Sequence, residues 1–235
     1  MQTNQKCAIC EELSCAGETR LSSALGDSYV TNATLAISDN FAVIPSVGPL
    51  VAGHCLLVTR QHSSNVIAGL DQPKLDELGG ICKESVEKLI REFSNMRLFC
   101  FEHGSRCELQ NSLCSTSHGH LHQLPFRKGD IDAVLDAAGG QKFSVPSLVD
   151  LNALLQAVEE YIVAFSLTSD CARLEGIVMD ASSAPSQYFR KLIAMQIGNS
   201  RWDWKTDGNA GLLRNTLALG FEHNKNIFRE RQQPS

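Results

Sequence analysis

Three histidines stand at alternate positions in the sequence: His118, His120 and His122. Successive side chains of a β-strand point to opposite faces of the sheet, so an extended backbone here places the three imidazoles in one row. Neutral imidazole is a nucleophile at pH 7 and a good leaving group, and neighbouring rings can hold its tautomer or exchange protons with it. The spacing therefore predicts a site for nucleophilic chemistry. The alternative is a surface tag or a simple metal tract, which the apolar residues after the run disfavour.

Composition narrows the classes of protein that fit. The 235 residues are 43% hydrophobic, enough for a substantial core and one or two domains. A net charge of −5 makes nucleic acid an unlikely partner. No apolar run reaches the roughly 18 residues that cross a bilayer, and the first residues lack a signal-peptide pattern, so no membrane partner is expected. Nine scattered cysteines predict a reducing, cytoplasmic location. Five of them are interpreted as buried apolar residues: Cys15, Cys55, Cys82, Cys100 and Cys171.

Residues 1–130 are predicted to form a first domain. Short apolar strands are expected over 27–60, and a long helix over 71–93, with Asp71 as its cap and Pro73 in its first turn. Two further strands are expected in this domain, over 97–102 and 117–125.

A second unit is expected over residues 140–235. Glycine-rich, charged segments at 127–130 and 139–142 mark the end of the first domain. The pattern after them predicts helices over 149–158, 186–195 and 209–219, and strands over 161–167 and 173–179. The second unit is therefore predicted to be a smaller α/β extension that contains both helices and strands.

The histidine pattern resembles the histidine triad (HIT) superfamily of nucleotide hydrolases and nucleotidyl transferases. Upstream segments at 41–45, 48–62 and 98–104 resemble the strands and turns that precede the triad in that family, so the likeness extends over residues 7–127. It implies an α+β fold, with an antiparallel sheet and one long helix. A weaker likeness to the extension of CwfJ-like HIT proteins covers 186–194 and the Trp202–Lys205 segment, where Lys205 replaces the usual arginine.

The resemblance implies a role for each residue of the triad region. His120 is the nucleophile that forms a nucleotidyl-histidine, and the backbone carbonyl of His118 holds its other ring nitrogen. His122 donates to a phosphate oxygen. Ser115 stands where the family often has a hydroxyl that contacts the phosphate, with a simple turn residue as the alternative.

The sequence departs from the family pattern in two places. Glu102, His103 and Gly104 occupy the loop where an asparagine is common, and Ser46 stands where an acidic residue commonly binds the ribose hydroxyls. Glu102, His103 and Ser46 are expected to contact substrate, and Glu102 is also expected to orient His103 or to bind a metal or a hydroxyl group. The base of the substrate stays open.

A C-x-x-C pair near the N-terminus, Cys7 and Cys10, is a weak zinc signal by itself. HIT proteins with such a pair take two further ligands from positions that correspond here to His62 and His118. The resemblance thus implies a structural zinc site, with a metal-free strap as the alternative. His54, in the turn before the second strand, is expected to pack and form hydrogen bonds rather than catalyse.

In the extension, Gln187 and Arg190 stand near the start of a predicted helix, where an anion can bind. They are expected to contact substrate phosphates. The alternative is an amphipathic helix that only buries Phe189, Leu192 and Ile193.

Together these features predict a HIT-type phosphohydrolase or nucleotidyltransferase that acts on a nucleotide or dinucleotide at its α-phosphate. A phosphorylase or nucleotidyltransferase that passes the nucleotidyl group to phosphate or a sugar phosphate is one alternative. A CwfJ-like nucleotide- or RNA-associated binding protein without turnover is another. The resemblance also implies a homodimer, unless the extension covers the same surface.

Overall fold

The computed structural model describes residues 7–14, 19–26, 34–93, 95–106, 118–167, 173–182 and 184–219. The strands within these ranges are β1 (Ala36–Ile37), β2 (Phe41–Pro45), β3 (Cys55–Thr59), β4 (Met96–Ser105), β5 (His120–Arg127), β6 (Gln141–Val145), β7 (Glu160–Leu167) and β8 (Leu174–Asp180). The helices are α1 (Ala8–Ser14), α2 (Arg20–Leu25), α3 (Gln72–Glu92), α4 (Lys128–Ala138), α5 (Leu148–Leu155), α6 (Tyr188–Gln196) and α7 (Ala210–Ala218).

All the described strands belong to one sheet, in the order β1-β2-β3-β5-β4-β7-β8-β6. Every neighbouring pair is antiparallel. The predicted α+β class, with an antiparallel sheet and one long helix, is therefore confirmed.

The long helix α3 covers one face of the sheet. Asp71 caps it by accepting a hydrogen bond from the Lys74 N–H at 3.1 Å, and Pro73 stands in its first turn, as predicted. The buried side of α3 packs with α5 against inward residues of the central strands, such as Leu121 and Val163. The removal of these apolar side chains from water stabilises this layer.

A second core lies on the opposite face of the sheet. Phe101 from β4, and Leu124 and Phe126 from β5, pack there against α4 and α6. His120 and His122 share the even-numbered face of β5 with Leu124. The strand period thus directs these two histidines away from α3 and towards the second core.

The sheet is continuous through both of the units expected from the sequence. Strand β4 pairs with β5 on one side and with β7 on the other, from Leu98 opposite Leu167 to Ser105 opposite Glu160. Each of the two large cores contains residues from before and after residue 140. Both edges of β4 are therefore filled within one chain, which prevents a second copy from pairing with this strand. The division into separate domains stays a prediction.

Helix α4 and strand β6 lie where the sequence predicted only the boundary between the two units. Ile131, Val134 and Ala138 bury one side of α4, at a spacing that suits a helix. The helix stops at Gly139, whose φ of 72° is unfavourable for residues with a Cβ. The two glycine-containing segments were predicted to mark the end of the first domain, but Gly129 lies in the first turn of α4 and Gly139 follows its last residue.

The prediction of buried cysteines is confirmed where the structure describes them, because Cys55, Cys82 and Cys100 are buried. Cys15 and Cys171 lie outside the described residues. None of the described helices combines the length and apolar character needed to cross a membrane.

The C-terminal segment holds the turn that leads into β3. The Gly48 N–H donates to the Gly208 carbonyl at 3.2 Å, and the Gly53 N–H donates to the Thr216 hydroxyl at 2.9 Å. Gly48 has a φ of 64°, and a Cβ there would lie 2.7 Å from the Asp207 carbonyl oxygen. This close approach requires glycine and brings the C-terminal segment against the start of β3.

Candidate active site

A cavity of about 1010 Å³, its open mouth included, lies on the sheet face that carries His120 and His122. Helices α1 and α2 contribute one wall, and α6 contributes another. Most of the residues predicted to act on substrate line this cavity: Ser46, His103, His120, His122, Gln187 and Arg190. Ser115 lies outside the described residues.

His120 is held in one tautomer. Its Nδ1 lies 2.8 Å from the backbone carbonyl oxygen of His118. A carbonyl only accepts, so Nδ1 carries the hydrogen and Nε2 keeps its lone pair. Burial lowers the pKa of His120 below the ordinary 6.5. The ring therefore lines the cavity as a neutral imidazole with an unprotonated Nε2.

A second set of hydrogen bonds orients His122. The Leu50 N–H donates to Nδ1 of His54 at 3.2 Å, so the hydrogen of His54 is on Nε2. That Nε2–H lies 2.9 Å from Nδ1 of His122 and donates to it. The hydrogen of His122 is then on Nε2. The chain of bonds leaves His122 as a donor, whereas His120 offers a lone pair.

Burial keeps the two bonded rings neutral. His54 is fully buried and His122 is 8% exposed, and desolvation lowers the pKa of each well below 6.5. Phe101 stacks on His122 with ring centroids 4.1 Å apart. The expected hydrogen-bonding role of His54 is thus present, but its partner was not predicted, because residues 54 and 122 meet only through the pairing of β3 with β5.

Four groups able to bind a metal meet at the other end of the triad. Cys7, Cys10, His62 and His118 place their ligand atoms within 4.8 Å of one another. Nδ1 of His118 lies 3.5 Å from Sγ of Cys7 and 3.4 Å from Sγ of Cys10, and Nδ1 of His62 lies 3.5 Å from Sγ of Cys10. Ligands at normal zinc bond lengths in a tetrahedron have sulfur–nitrogen edges of about 3.5 Å. The donor set and its spacing fit zinc.

The remaining nitrogen of His118 supports that fit. Nε2 lies 2.8 Å from the carbonyl oxygen of Thr59, so it carries the hydrogen and leaves Nδ1 as the ligand atom. Burial lowers the pKa of His118 to about 4, which keeps the ring neutral. Thr59 had no distinctive signal in the sequence.

Glu102 lies away from the cavity, in contrast to its predicted contact with substrate. The side chain is fully buried on the α3 side of the sheet, where it accepts hydrogen bonds from the Val66 N–H and, at 3.0 Å, from the Tyr161 hydroxyl. Of the roles expected for Glu102, binding a hydroxyl group is the one present. Strand alternation explains why it cannot orient His103, since adjacent residues of β4 face opposite ways.

The partner of His103 is Glu160. Nε2 of His103 lies 3.1 Å from Oε1 of Glu160, and both side chains are 18% exposed. Glu160 begins β7, in the second half of the chain, so nothing in the local sequence around His103 pointed to it.

Arg190 brings a buried positive charge to the cavity. It is 3% exposed and donates from Nε to the Trp202 carbonyl at 2.8 Å and from Nη2 to the Gly48 carbonyl. Among the described residues, no carboxylate forms an ion pair with it. Burial lowers the pKa of Arg190 to about 10, and the guanidinium stays charged at neutral pH.

Gln187 and Ser46 also reach the cavity wall. The Nε2 of Gln187 donates to Asp203 at 2.9 Å, and its Oε1 is buried with no partner in the described part of the chain. Gln187 lines the cavity, and an acceptor oxygen on this side chain suits a hydroxyl or amino group better than a phosphate oxygen. Ser46 is 2% exposed, and its hydroxyl lies 3.4 Å from the Val47 carbonyl oxygen.

Comparison with protein-family models gives no match, and comparison with curated proteins gives none either. Comparison with solved structures gives several. A zinc-bound histidine triad family protein from Mycobacterium smegmatis has 18% identity and a TM-score of 0.36, over 55% of this chain and 80% of that one. Yeast Ap4A phosphorylase has 12% identity and a TM-score of 0.41, over 77% of this chain and 74% of that one. At these identities and TM-scores, the matches assign neither a substrate nor a reaction to this chain.

The burial of Glu102 predicts a pH-dependent stability. Burial raises its pKa from 4.5 to about 7, so the folded state binds the proton more tightly than the unfolded chain. Its contribution is fully present below about pH 4.5 and is lost as the pH rises through about 7. We expect the free energy of unfolding of the wild type, minus that of Glu102→Gln, to fall by about 3 kcal/mol between pH 4.5 and pH 8 in urea titrations. A difference that stays level across this range contradicts the prediction.

Proposed function

We propose that this chain is a HIT-type enzyme that cleaves a nucleotide at its α-phosphate through a nucleotidyl-His120 intermediate. One observation carries the proposal: the 2.8 Å hydrogen bond from His120 Nδ1 to the His118 carbonyl. It leaves Nε2 unprotonated in a cavity that also holds a buried guanidinium. A nucleophile in the same cavity as a buried cation suits attack on an anionic centre.

The first step uses the two orientations of the triad rings. Nε2 of His120 attacks the α-phosphorus, a P–N bond forms, and the bond from phosphorus to the leaving oxygen breaks with its electron pair on that oxygen. Nε2–H of His122 donates to an oxygen of the reacting phosphate, and Arg190 stabilises the negative charge. In the second step an acceptor attacks the same phosphorus, and the P–N electron pair returns to Nε2 of His120.

Water and an acceptor phosphate can both resolve this intermediate. A nucleoside monophosphate product identifies hydrolysis, and a nucleoside diphosphate formed in inorganic phosphate identifies transfer. Gln187, which offers only an acceptor, is assigned to a hydroxyl or amino group of the nucleoside, and Ser46 to the same side of the ligand.

We also propose that Cys7, Cys10, His62 and His118 bind a structural zinc ion. Four protein ligands leave no position for water, so the ion would supply no catalytic group and would tie the N-terminal segment to the triad. His118 would then serve twice, with its ring on the metal and its carbonyl on His120.

Replacement of the nucleophile tests the mechanism. We expect His120→Asn to abolish turnover while ligand binding survives, and His120→Gly to regain activity with added imidazole, because the small base can occupy the vacated space. Mass spectrometry of wild-type protein quenched during turnover of dinucleoside polyphosphates, nucleotide sugars or nucleoside phosphoramidates should find a nucleotidyl group on the peptide that contains His120. Near wild-type turnover by a folded His120→Asn protein, or an adduct on another residue, contradicts the mechanism.

Arg190 is tested by a substitution that keeps the charge. Arg190→Lys loses the planar guanidinium that reaches two carbonyls and the ligand together. We expect a fall in kcat/KM that corresponds to a loss of about 1.5–3 kcal/mol in transition-state stabilisation, the value of a charged hydrogen bond. Lys191→Met is the matched control, since Lys191 lies over the Trp202 ring at 4.4 Å and does not line the cavity. Equal kinetics for the two variants would leave α6 with a purely structural role.

The zinc proposal is tested by metal content. Protein purified without chelator should contain about one zinc per chain, and Cys10→Ser should lower both the zinc content and the melting temperature. Cys100→Ala is the control for zinc content, because Cys100 is buried in the sheet core and is not one of the four clustered residues. The absence of zinc from the wild type would refute the site.

A further inference from the structure

The pair formed by His103 and Glu160 takes no part in the steps above, although His103 lines the same cavity as His120 and His122. Nε2 of His103 and Oε1 of Glu160 lie 3.1 Å apart. A carboxylate only accepts, so Nε2 carries the hydrogen. In the neutral ring, Nδ1 then keeps its lone pair, and no hydrogen bond to Nδ1 is seen in the described ranges.

The sheet register places this pair next to the nucleophile. Glu102 of β4 pairs with Leu121 of β5, and one step further along the two antiparallel chains brings His103 opposite His120. On its other side β4 pairs with β7, with His103 opposite Ile162, so Glu160 is the diagonal neighbour two residues away. The two β4 pairings together bring a carboxylate from the second half of the chain to the triad.

We propose that His103 is the general base of the hydrolytic step, and that Glu160 is the residue that positions it. This inference rests on the proposed function in its hydrolytic form. An imidazole held by a carboxylate on one nitrogen is suited to take a proton on the other, because the carboxylate fixes the tautomer and stabilises the imidazolium that forms.

The water oxygen attacks the phosphorus of nucleotidyl-His120, a P–O bond forms, and the P–N bond breaks with its electron pair returning to Nε2 of His120. One proton of the water passes to Nδ1 of His103. The imidazolium then carries a positive charge against the Glu160 carboxylate until it releases the proton to solvent. His120 is left neutral with its hydrogen on Nδ1, ready for another turnover.

Charges around the cavity favour a base at this position. His103 and the buried Arg190 line the same cavity as His120. Among the described residues, neither His120 nor His122 contacts a carboxylate, because Nδ1 of His120 bonds to the His118 carbonyl and Nδ1 of His122 bonds to His54. His103 is the cavity histidine with a carboxylate partner, so it can hold the additional proton.

The test separates adduct formation from adduct release. The probe is the p-nitrophenyl ester of AMP, whose leaving group needs no proton, used in phosphate-free buffer with the full-length protein. The burst of p-nitrophenol reports attack by His120, and the steady rate reports attack by water. We expect His103→Gln to keep a burst rate within a few-fold of the wild type and to slow release by about 10²-fold or more.

An anionic nucleophile distinguishes a base from a structural residue. Fluoride has no proton to remove, so it should restore release in His103→Gln and yield the nucleoside phosphorofluoridate, detected by mass. Glu160→Gln keeps an acceptor for the His103 N–H but removes the charge, so we expect slower release with an unchanged burst. Glu175→Gln, which removes an exposed carboxylate from the neighbouring strand β8, is the matched control and should match the wild type.

Three results would overturn the inference while leaving the proposed function intact. One is wild-type release by His103→Gln, the second is slow release that fluoride does not restore, and the third is a wild-type adduct that clears only with phosphate. The absence of any adduct on wild-type His120 would instead refute the proposed function itself. Because Glu160→Gln and His103→Gln change different residues, misfolding of one variant leaves the other to decide.

Discussion

The hydrogen bond from His120 Nδ1 to the backbone carbonyl of His118 is the contact on which the rest of the site depends. It determines which nitrogen of His120 keeps its lone pair. Its acceptor belongs to a residue whose own ring faces Cys7 and Cys10 and is held in turn by Thr59. The position of His120 is thereby coupled to the N-terminal segment, which also forms a wall of the cavity.

Opposite hydrogen-bond directions leave His120 and His122 in different tautomers. His120 donates to a carbonyl through Nδ1, whereas His122 accepts at Nδ1 from His54, which itself accepts from the Leu50 N–H. One ring is left with a lone pair and the other with a donor. The turn that supplies Leu50 is held in place by hydrogen bonds to Gly208 and Thr216, so the tautomer of His122 depends on residues far from it in the sequence.

Continuity of the sheet explains why the second half of the chain belongs to the site. The pairing of β4 with β7 brings Glu160 to His103, and α6 brings Arg190 to the cavity. The same pairing fills the strand edge through which a second copy could have added. A single chain therefore encloses the cavity with elements that lie far apart in the sequence.

The alternation of histidines predicted the row of imidazoles, and the capped periodicity of α3 predicted the long helix, because each is a local pattern of the sequence. The α+β class and the metal-binding set of Cys7, Cys10, His62 and His118 were instead implied by the resemblance to histidine triad proteins. The partners of Glu102 could not be predicted from its neighbours in the sequence. His103 faces the cavity, but strand alternation directs Glu102 to the other face of the sheet, where it accepts hydrogen bonds from Val66 and Tyr161. The partners of His54, His103 and His118 were likewise decided by strand register. Hydrogen bonds between distant strands depend on how the whole sheet is paired, and only the tertiary structure determines that pairing.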